Sequence, residues 1–197
     1  MEKINITDIN SAITIRRNNE MEQLKVKGFY VVKCLDVNGN TKWEDTIENI
    51  VTDVGANMML DQMFGATQNS TYFLGLISSV GYVSVPVVAN TMASHATWVE
   101  AGNGSNYPTW TSPASNARAT ITWSAASSRQ KALSSSASFT IATGGTVKGC
   151  FVVTGSGAVS TNNSTAGTLY SAGTFAADKI VDALDTLQVS YTTQLQA

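Results

Sequence analysis

The 197-residue sequence predicts a mainly β protein, an antiparallel β-sandwich or jelly roll with one short α-helix and an extended N-terminal arm. Three observations lead there. Short apolar runs recur between Gly-, Ser- and Asn-rich segments from residue 71 onward, the spacing of an antiparallel sandwich. Only one stretch, about 53–64, has the breadth and end signals of a helix. Residues 1–25 carry isolated isoleucines in polar text, which suits an arm rather than a core element.

In the arm, Ile4 and Ile6 alternate with polar residues, as do Ile13 and Ile15, while Ile9 stands between them without a period. Such a segment pairs with an edge strand or lies across a neighbouring subunit. Residues 26–197 form a single sandwich domain that opens with a hairpin over 26–50. Its first strand spans Val26 to Val37, Asn38-Gly39 predicts a type I′ turn, and Thr41 to Ile50 returns with Trp43 and Ile47. Thr52 or Asp53 can cap the following helix by accepting an otherwise unpaired amide. Val54, Met58, Met59, Leu60, Met63 and Phe64 offer it a broad apolar face, and Gly65 suits the position just past its end.

Beyond the helix, Thr71–Ser78 reads as a near-continuous apolar strand and Val80–Val88 as a second, interrupted by Pro86. Thr91–Ala101 is expected to hold a short helical turn, and 102–117 to be a long ordered loop. Five further strands are expected at Ala117–Ala126, Ala132–Ala142, Thr146–Thr154, Gly167–Phe175 and Thr186–Leu195. Gly144-Gly145 and Gly155-Ser156-Gly157 read as turn glycines, since no Lys-Ser/Thr follows at phosphate-loop spacing.

Charged residues make up only 13% of the chain, about half the usual share. Residues 1–50 hold 7 of the 12 Lys/Arg and 8 of the 14 Asp/Glu, so the remainder must build its surface from Ser, Thr, Asn, Gly and Ala. That surface is neutral and low in side-chain entropy, which suits a protein crowded by identical neighbours. A net charge of -2 with no basic stripe argues against a nucleic-acid partner. No apolar run approaches the length of a membrane span, and Met1–Asn5 lacks a signal-peptide apolar region, so assembly in a cytoplasm is expected. Cys34 and Cys150 both sit in strand-like apolar text without metal or redox spacing and are expected to be free, buried thiols.

The vocabulary of catalysis is thin. The single histidine, His95, has no thiolate or carboxylate near it in sequence and is expected to hold a loop. Glu44, Asp45 and Glu48 cluster in the charged hairpin, and Asp178, Asp182 and Asp185 span an apparent loop without calcium-loop spacing; both groups read as solvated acids. No catalytic, cofactor-binding or metal-ligating residue is therefore expected, and the protein is not expected to be an enzyme.

Three stretches resemble a family of small virion structural proteins from tailed bacteriophages. They are Asn49–Leu60; Asn90–Glu100, containing Met92, His95 and Trp98; and the C-terminal series Gly145–Val153, Gly167–Gly173 and Asp185–Val189. Together they span roughly residues 26–195; the middle stretch is the most distinctive, and the last is generic to β-rich phage proteins. The resemblance implies a non-enzymatic component of the virion, assembled in the host cytoplasm, with no catalytic residues to carry over. Within that class the reading is a capsid decoration, or cement, protein that binds across major-capsid subunits and stabilises the shell. Its expected partners are the major capsid protein and copies of itself, as a homo-oligomer in the particle, with no nucleic acid and no membrane. The expected interface residues are Ile4, Ile6, Ile9, Ile13, Ile15, Arg16 and Arg17 of the arm and Trp43 of the hairpin. A tail, collar or fibre-attachment protein is the alternative station in the particle. From a different class, a carbohydrate-binding β-sandwich module would use Trp98, Tyr107 and Trp110 as a stacking surface.

Overall fold

The computed structural model describes residues 25–65, 71–103 and 105–196, which contain ten strands and one helix. In chain order these are β1 (Lys25–Leu35), β2 (Thr41–Val51), α1 (Asp53–Phe64), β3 (Tyr72–Ser78), β4 (Thr109–Ser112), β5 (Ala119–Ile121), β6 (Gln130–Ala132), β7 (Ala137–Thr143), β8 (Gly145–Thr154), β9 (Thr168–Val181) and β10 (Thr186–Gln196). Every pairing is antiparallel, and the strands run in the order β4-β7-β10-β1-β2-β9-β8-β3-β5, with β6 attached to β10. The sheet curls into a half-barrel, a sandwich-like arrangement in which its two halves face each other. They meet at β2, which pairs with β1 along most of its length and then hands Ile50 and Val51 to Ala172 and Ser171 of β9. At the far side, β5 of one half touches β7 of the other.

The side-chain pattern follows from what covers each face. β1 and β10 alternate buried and partly exposed residues, because only their inner face meets the core, which includes Tyr30, Val32, Cys34, Leu187, Val189 and Tyr191. β3 and β8 are apolar nearly throughout because both of their faces are covered. Leu74, Leu76, Cys150 and Val152 point to the main core, while Phe73, Ile77, Phe151 and Val153 point outward under Met92, Trp98 and Tyr82. Each fully buried Leu, Val, Ile or Phe there contributes about 1.5–3 kcal/mol.

The helix spans Asp53–Phe64 with Thr52 as its cap, Gly55 N–H donating to Thr52 Oγ1 at 3.0 Å. Thr52 Oγ1 in turn donates to the carbonyl of Leu169, so the cap also ties the helix to β9. Gly65 does not close it in the left-handed region; its backbone is extended (φ -98°) while its N–H bonds the Asp61 carbonyl. The broad apolar face is only partly used. Met58 and Met59 pack on the core, whereas Leu60, Met63 and Phe64 are exposed.

Several expected elements differ in the structure. The hairpin turn is not type I′, because only Gly39 is left-handed (φ 83°). Instead, Asp36 closes a longer loop by accepting the amides of Asn38 and Asn40 on Oδ1. Val80–Val88 is not a strand: Gly81 turns the chain (φ 74°), and Val83 and Ser84 donate to the Thr97 carbonyl rather than to a ladder. Residues 91–101 contain turns but no helix, and the 102–117 loop includes the short edge strand β4. The two strands expected at 117–126 and 132–142 shrink to β5 and to β7, with β6 added at 130–132. Gly144 is not a turn glycine. It lets the chain pass directly from β7 to β8 where a Cβ would lie 2.7 Å from the Val181 carbonyl oxygen.

Candidate interaction surface

The polar side chains that could carry chemistry are engaged with one another. Arg118 and Glu100 form a two-pronged ion pair, Nε to Oε1 at 2.9 Å and Nη2 to Oε2 at 2.8 Å, with both side chains out of contact with water. Their remaining capacity holds the 155–167 loop. Arg118 donates to the carbonyls of Ser164 (2.8 Å) and Val159 (3.3 Å), and Glu100 Oε2 accepts the amide of Asn163 at 2.8 Å. Arg118 also lies 5.4 Å from the centre of the Phe151 ring. Such a satisfied buried pair fixes three chain segments relative to one another. It went unnoticed in the sequence, although a signal is there: Glu100 and Arg118 are the only charged residues between Asp61 and Arg129.

His95 holds its loop as expected. Its ring stacks on Trp98 with centroids 3.9 Å apart, and Nδ1 lies 3.0 Å from the Trp98 carbonyl oxygen. Trp98 donates its indole N–H to Asn90 Oδ1 at 3.0 Å. The acids of 178–185 are not simply solvated. Asp178 pairs with Lys148 at 3.0 Å, while Lys42 bridges exposed Asp182 and buried Asp185 at 2.6 Å each. Burial alone would raise the Asp185 carboxyl, but hydrogen bonds from Lys42, the Asp182 amide and the Cys34 thiol outweigh it and hold it below the usual carboxylate range. In the hairpin, Lys179 holds Asp45 below its ordinary value across 2.6 Å. Among the described residues no three His, Cys, Asp or Glu side chains gather closely enough to hold a metal ion.

Two groups of apolar side chains stand exposed on the surface. Val80, Val83, Val85, Val87 and Val88 are all exposed on one loop, Val83 by 75%, and Leu60, Met63 and Phe64 project from the end of α1, Phe64 by 81%. The loop is not loose. Tyr82, Val83 and Ser84 donate to backbone carbonyls of 79 and 97, and the Val88 carbonyl accepts the amide of Asp53 at the start of α1. A fixed loop that turns valines to water is the kind of surface that protein neighbours cover.

Of the expected interface residues, Ile4, Ile6, Ile9, Ile13, Ile15, Arg16 and Arg17 lie outside the described residues. Trp43 is half-buried and committed within the subunit: it meets Phe175 edge-on at 5.8 Å and donates its indole N–H to the Ile180 carbonyl at 2.9 Å. It fastens β2 to the end of β9. The aromatic stacking surface expected over 98–110 does not form. Trp98 and Trp110 are core residues, Trp110 donating to the Ala117 carbonyl at 2.8 Å, and only Tyr107 is exposed. Both cysteines are buried free thiols. Among the described residues no helix is long and apolar enough to cross a membrane.

Set against protein-family models, curated proteins and solved structures, the chain matches none.

Proposed function

We propose that this chain is a non-enzymatic structural component of a tailed-phage virion, a capsid decoration protein that binds across major-capsid subunits and stabilises the shell. The observation that carries the reading is the fixed, exposed valine loop at 80–88 on a subunit whose residues 51–197 hold only five basic and six acidic side chains. Apolar side chains displayed on so neutral a body are suited to burial against protein, and a sparse charge distribution tolerates close packing of identical copies. The resemblance of 49–60, 90–100 and the C-terminal strands to small virion proteins points the same way. The polar clusters support a structural role as well, since Glu100, Arg118, His95 and Asp185 are spent on holding loops.

Purified particles and their reconstruction test the reading. Density for the protein distributed over the shell, with the 80–88 loop against a capsid subunit, is the expected result. Density confined to a tail, collar or fibre attachment would replace decoration by that station. Absence of the protein from particles would end the virion reading.

A further inference from the structure

The loop between β1 and β2 carries an asparagine followed by glycine, Asn38-Gly39, a pair open to spontaneous rearrangement. The glycine amide nitrogen can attack the side-chain carbonyl carbon of the asparagine, because the second residue has no Cβ to obstruct the approach. Asn38 and Gly39 are both exposed, and beyond its chain neighbours nothing lies within 4 Å of where a Cβ of Gly39 would stand. Neither packing nor burial blocks the attack. What opposes it is the hydrogen bonding around Asp36. The Gly39 amide donates to the Asp36 carbonyl at 2.9 Å, and the Asp36 amide donates to the Asn40 carbonyl at 2.8 Å. On the Asp36 side chain, Oδ1 accepts the amides of Asn38 at 2.9 Å and Asn40 at 2.8 Å, while Oδ2 accepts the Asn40 side-chain amide at 3.1 Å. The carboxylate thus fixes the backbone on either side of Gly39.

We propose that Asn38-Gly39 is a modification site at which water replaces ammonia, and that Asp36 is the residue that sets its rate. In the first step the Gly39 nitrogen bonds to Cγ of Asn38 and the Cγ–Nδ2 bond breaks. Ammonia leaves with the proton of the Gly39 amide, and a cyclic imide remains. Water then opens the imide. Attack at Cγ gives aspartate at 38, and attack at the Asn38 backbone carbonyl gives isoaspartate, with the chain running through the side chain. Ring closure needs the Gly39 amide to leave the Asp36 carbonyl and swing toward the Asn38 side chain, and the bonds around Asp36 hold it in place. The protection is present where the reaction is fastest. Hydrogen bonds from the Asn40 side chain and amide hold the Asp36 carboxyl below its ordinary value. It is therefore ionised throughout the neutral and alkaline range, in which loss of the amide proton speeds ring closure. Either product puts a second carboxylate two residues from Asp36, on a loop ordered by donors that converge on the first. Like charges so placed repel, so a modified loop does not regain the clamp. The inference concerns the isolated subunit and does not rest on the virion reading.

The test incubates the folded full chain, its D36A and D36N variants and a synthetic peptide spanning 34–44 at pH 8. Conversion of Asn38 is followed by mass spectrometry of the digested chain, peptide by peptide, because Asn103 is also followed by glycine. The loop must open before the ring can close, so Asn38 in the parent is expected to react at least ~10-fold more slowly than in the free peptide. D36A is expected to approach the free-peptide rate. D36N, whose side-chain oxygen still accepts the two backbone amides, is expected to keep most of the protection. A parent chain that reacts as fast as the peptide would overturn the proposal, and this comparison needs no variant. A D36A chain as slow as the parent would overturn it too. So would a D36N chain as fast as D36A, since the charge of Asp36 rather than its clamp would then be the protecting feature. Asp36 is not a core residue, so the urea unfolding midpoints of the three chains are expected to lie close together.

Discussion

Arg118 and Glu100 meet side-on in the interior, each guanidinium edge nitrogen facing one carboxylate oxygen, with no water access to either side chain. One partner comes from the start of β5 and the other from the loop that follows the valine segment. Between them they hold three backbone groups of the 155–167 loop, the Val159 and Ser164 carbonyls and the Asn163 amide.

Removing one partner leaves an uncompensated buried charge. R118M or E100L alone is expected to lower stability by roughly 3–5 kcal/mol, while the double replacement R118M/E100L costs distinctly less. Urea unfolding midpoints of the three variants check this. Additive losses in the double variant would mean that the two charges do not stabilise each other. Limited proteolysis of R118M should also nick 155–167 sooner than in the parent chain, because the Val159 and Ser164 carbonyls lose their donor.

The Lys42 bridge sets the pH dependence at both ends. Asp185 and Asp45 are held below their ordinary values, so the stability that they supply is complete above about pH 4 and is lost as pH falls through their folded values. Lys42 is held above its ordinary value by its bonds to Asp182 and Asp185. Its contribution is complete below about pH 10 and is lost as pH rises through its folded value. K42M is expected to destabilise by about 1–3 kcal/mol at pH 7, chiefly by leaving Asp185 buried without its cation. It should also flatten the acid limb only in part, since Asp45–Lys179 remains. Unfolding midpoints at pH 7 and pH 3 measure both effects.

Neither thiol should react in the folded chain. Burial first, and then the neighbouring Asp185 carboxylate, push Cys34 up to about 12, and burial pushes Cys150 well above the ordinary thiol value. At pH 8 the thiolate fraction is therefore negligible. Intact mass after alkylation without reductant should show no adduct on the native protein and two in denaturant. The absence of any adduct in denaturant would reveal a bridge between Cys34 and Cys150 and overturn the assignment of free thiols.

The valines of the 80–88 loop should matter to assembly and not to folding. Val83 and Val85 are exposed, so V83S/V85S is expected to change stability by no more than about 0.5 kcal/mol. Binding to particles that lack the protein should nonetheless fall sharply, as read by sedimentation with the particle. Undiminished binding would remove this loop from the interface.

A chain that begins at Leu24 is expected to stay folded, since β1 starts at Lys25 and its pairing with β10 is complete without the arm. Its far-ultraviolet circular dichroism should match the parent, while particle binding weakens. An insoluble product would make the preceding residues part of the sheet.

The sequence by itself determined the class of the fold and the position of its only helix among the described residues. Alternation in β1 and β10 marks strands covered on one face, and Thr52 with its apolar followers marks a helix start, because both signals are local and repeat at the period of the element. Val80–Val88 carries the same composition as a strand, yet it is a loop. Gly81 turns the chain, and Val83 and Ser84 donate to the Thr97 carbonyl rather than to a partner strand. Local text cannot distinguish the two outcomes, since a strand exists only when a partner strand is in register. Likewise Trp98 and Trp110 resemble an exposed aromatic stretch in sequence but are core residues, since the loop that carries Trp98 folds over β3 and β8 and Trp110 lies on β4, paired with β7 and edge-on to Phe139. Only the tertiary structure brought Glu100 to Arg118 and Lys42 to Asp185, pairs separated by 18 and 143 residues. Which opposite charges meet depends on how the sheet curls, and the curl is set by long-range pairing rather than by any residue's neighbours in the chain.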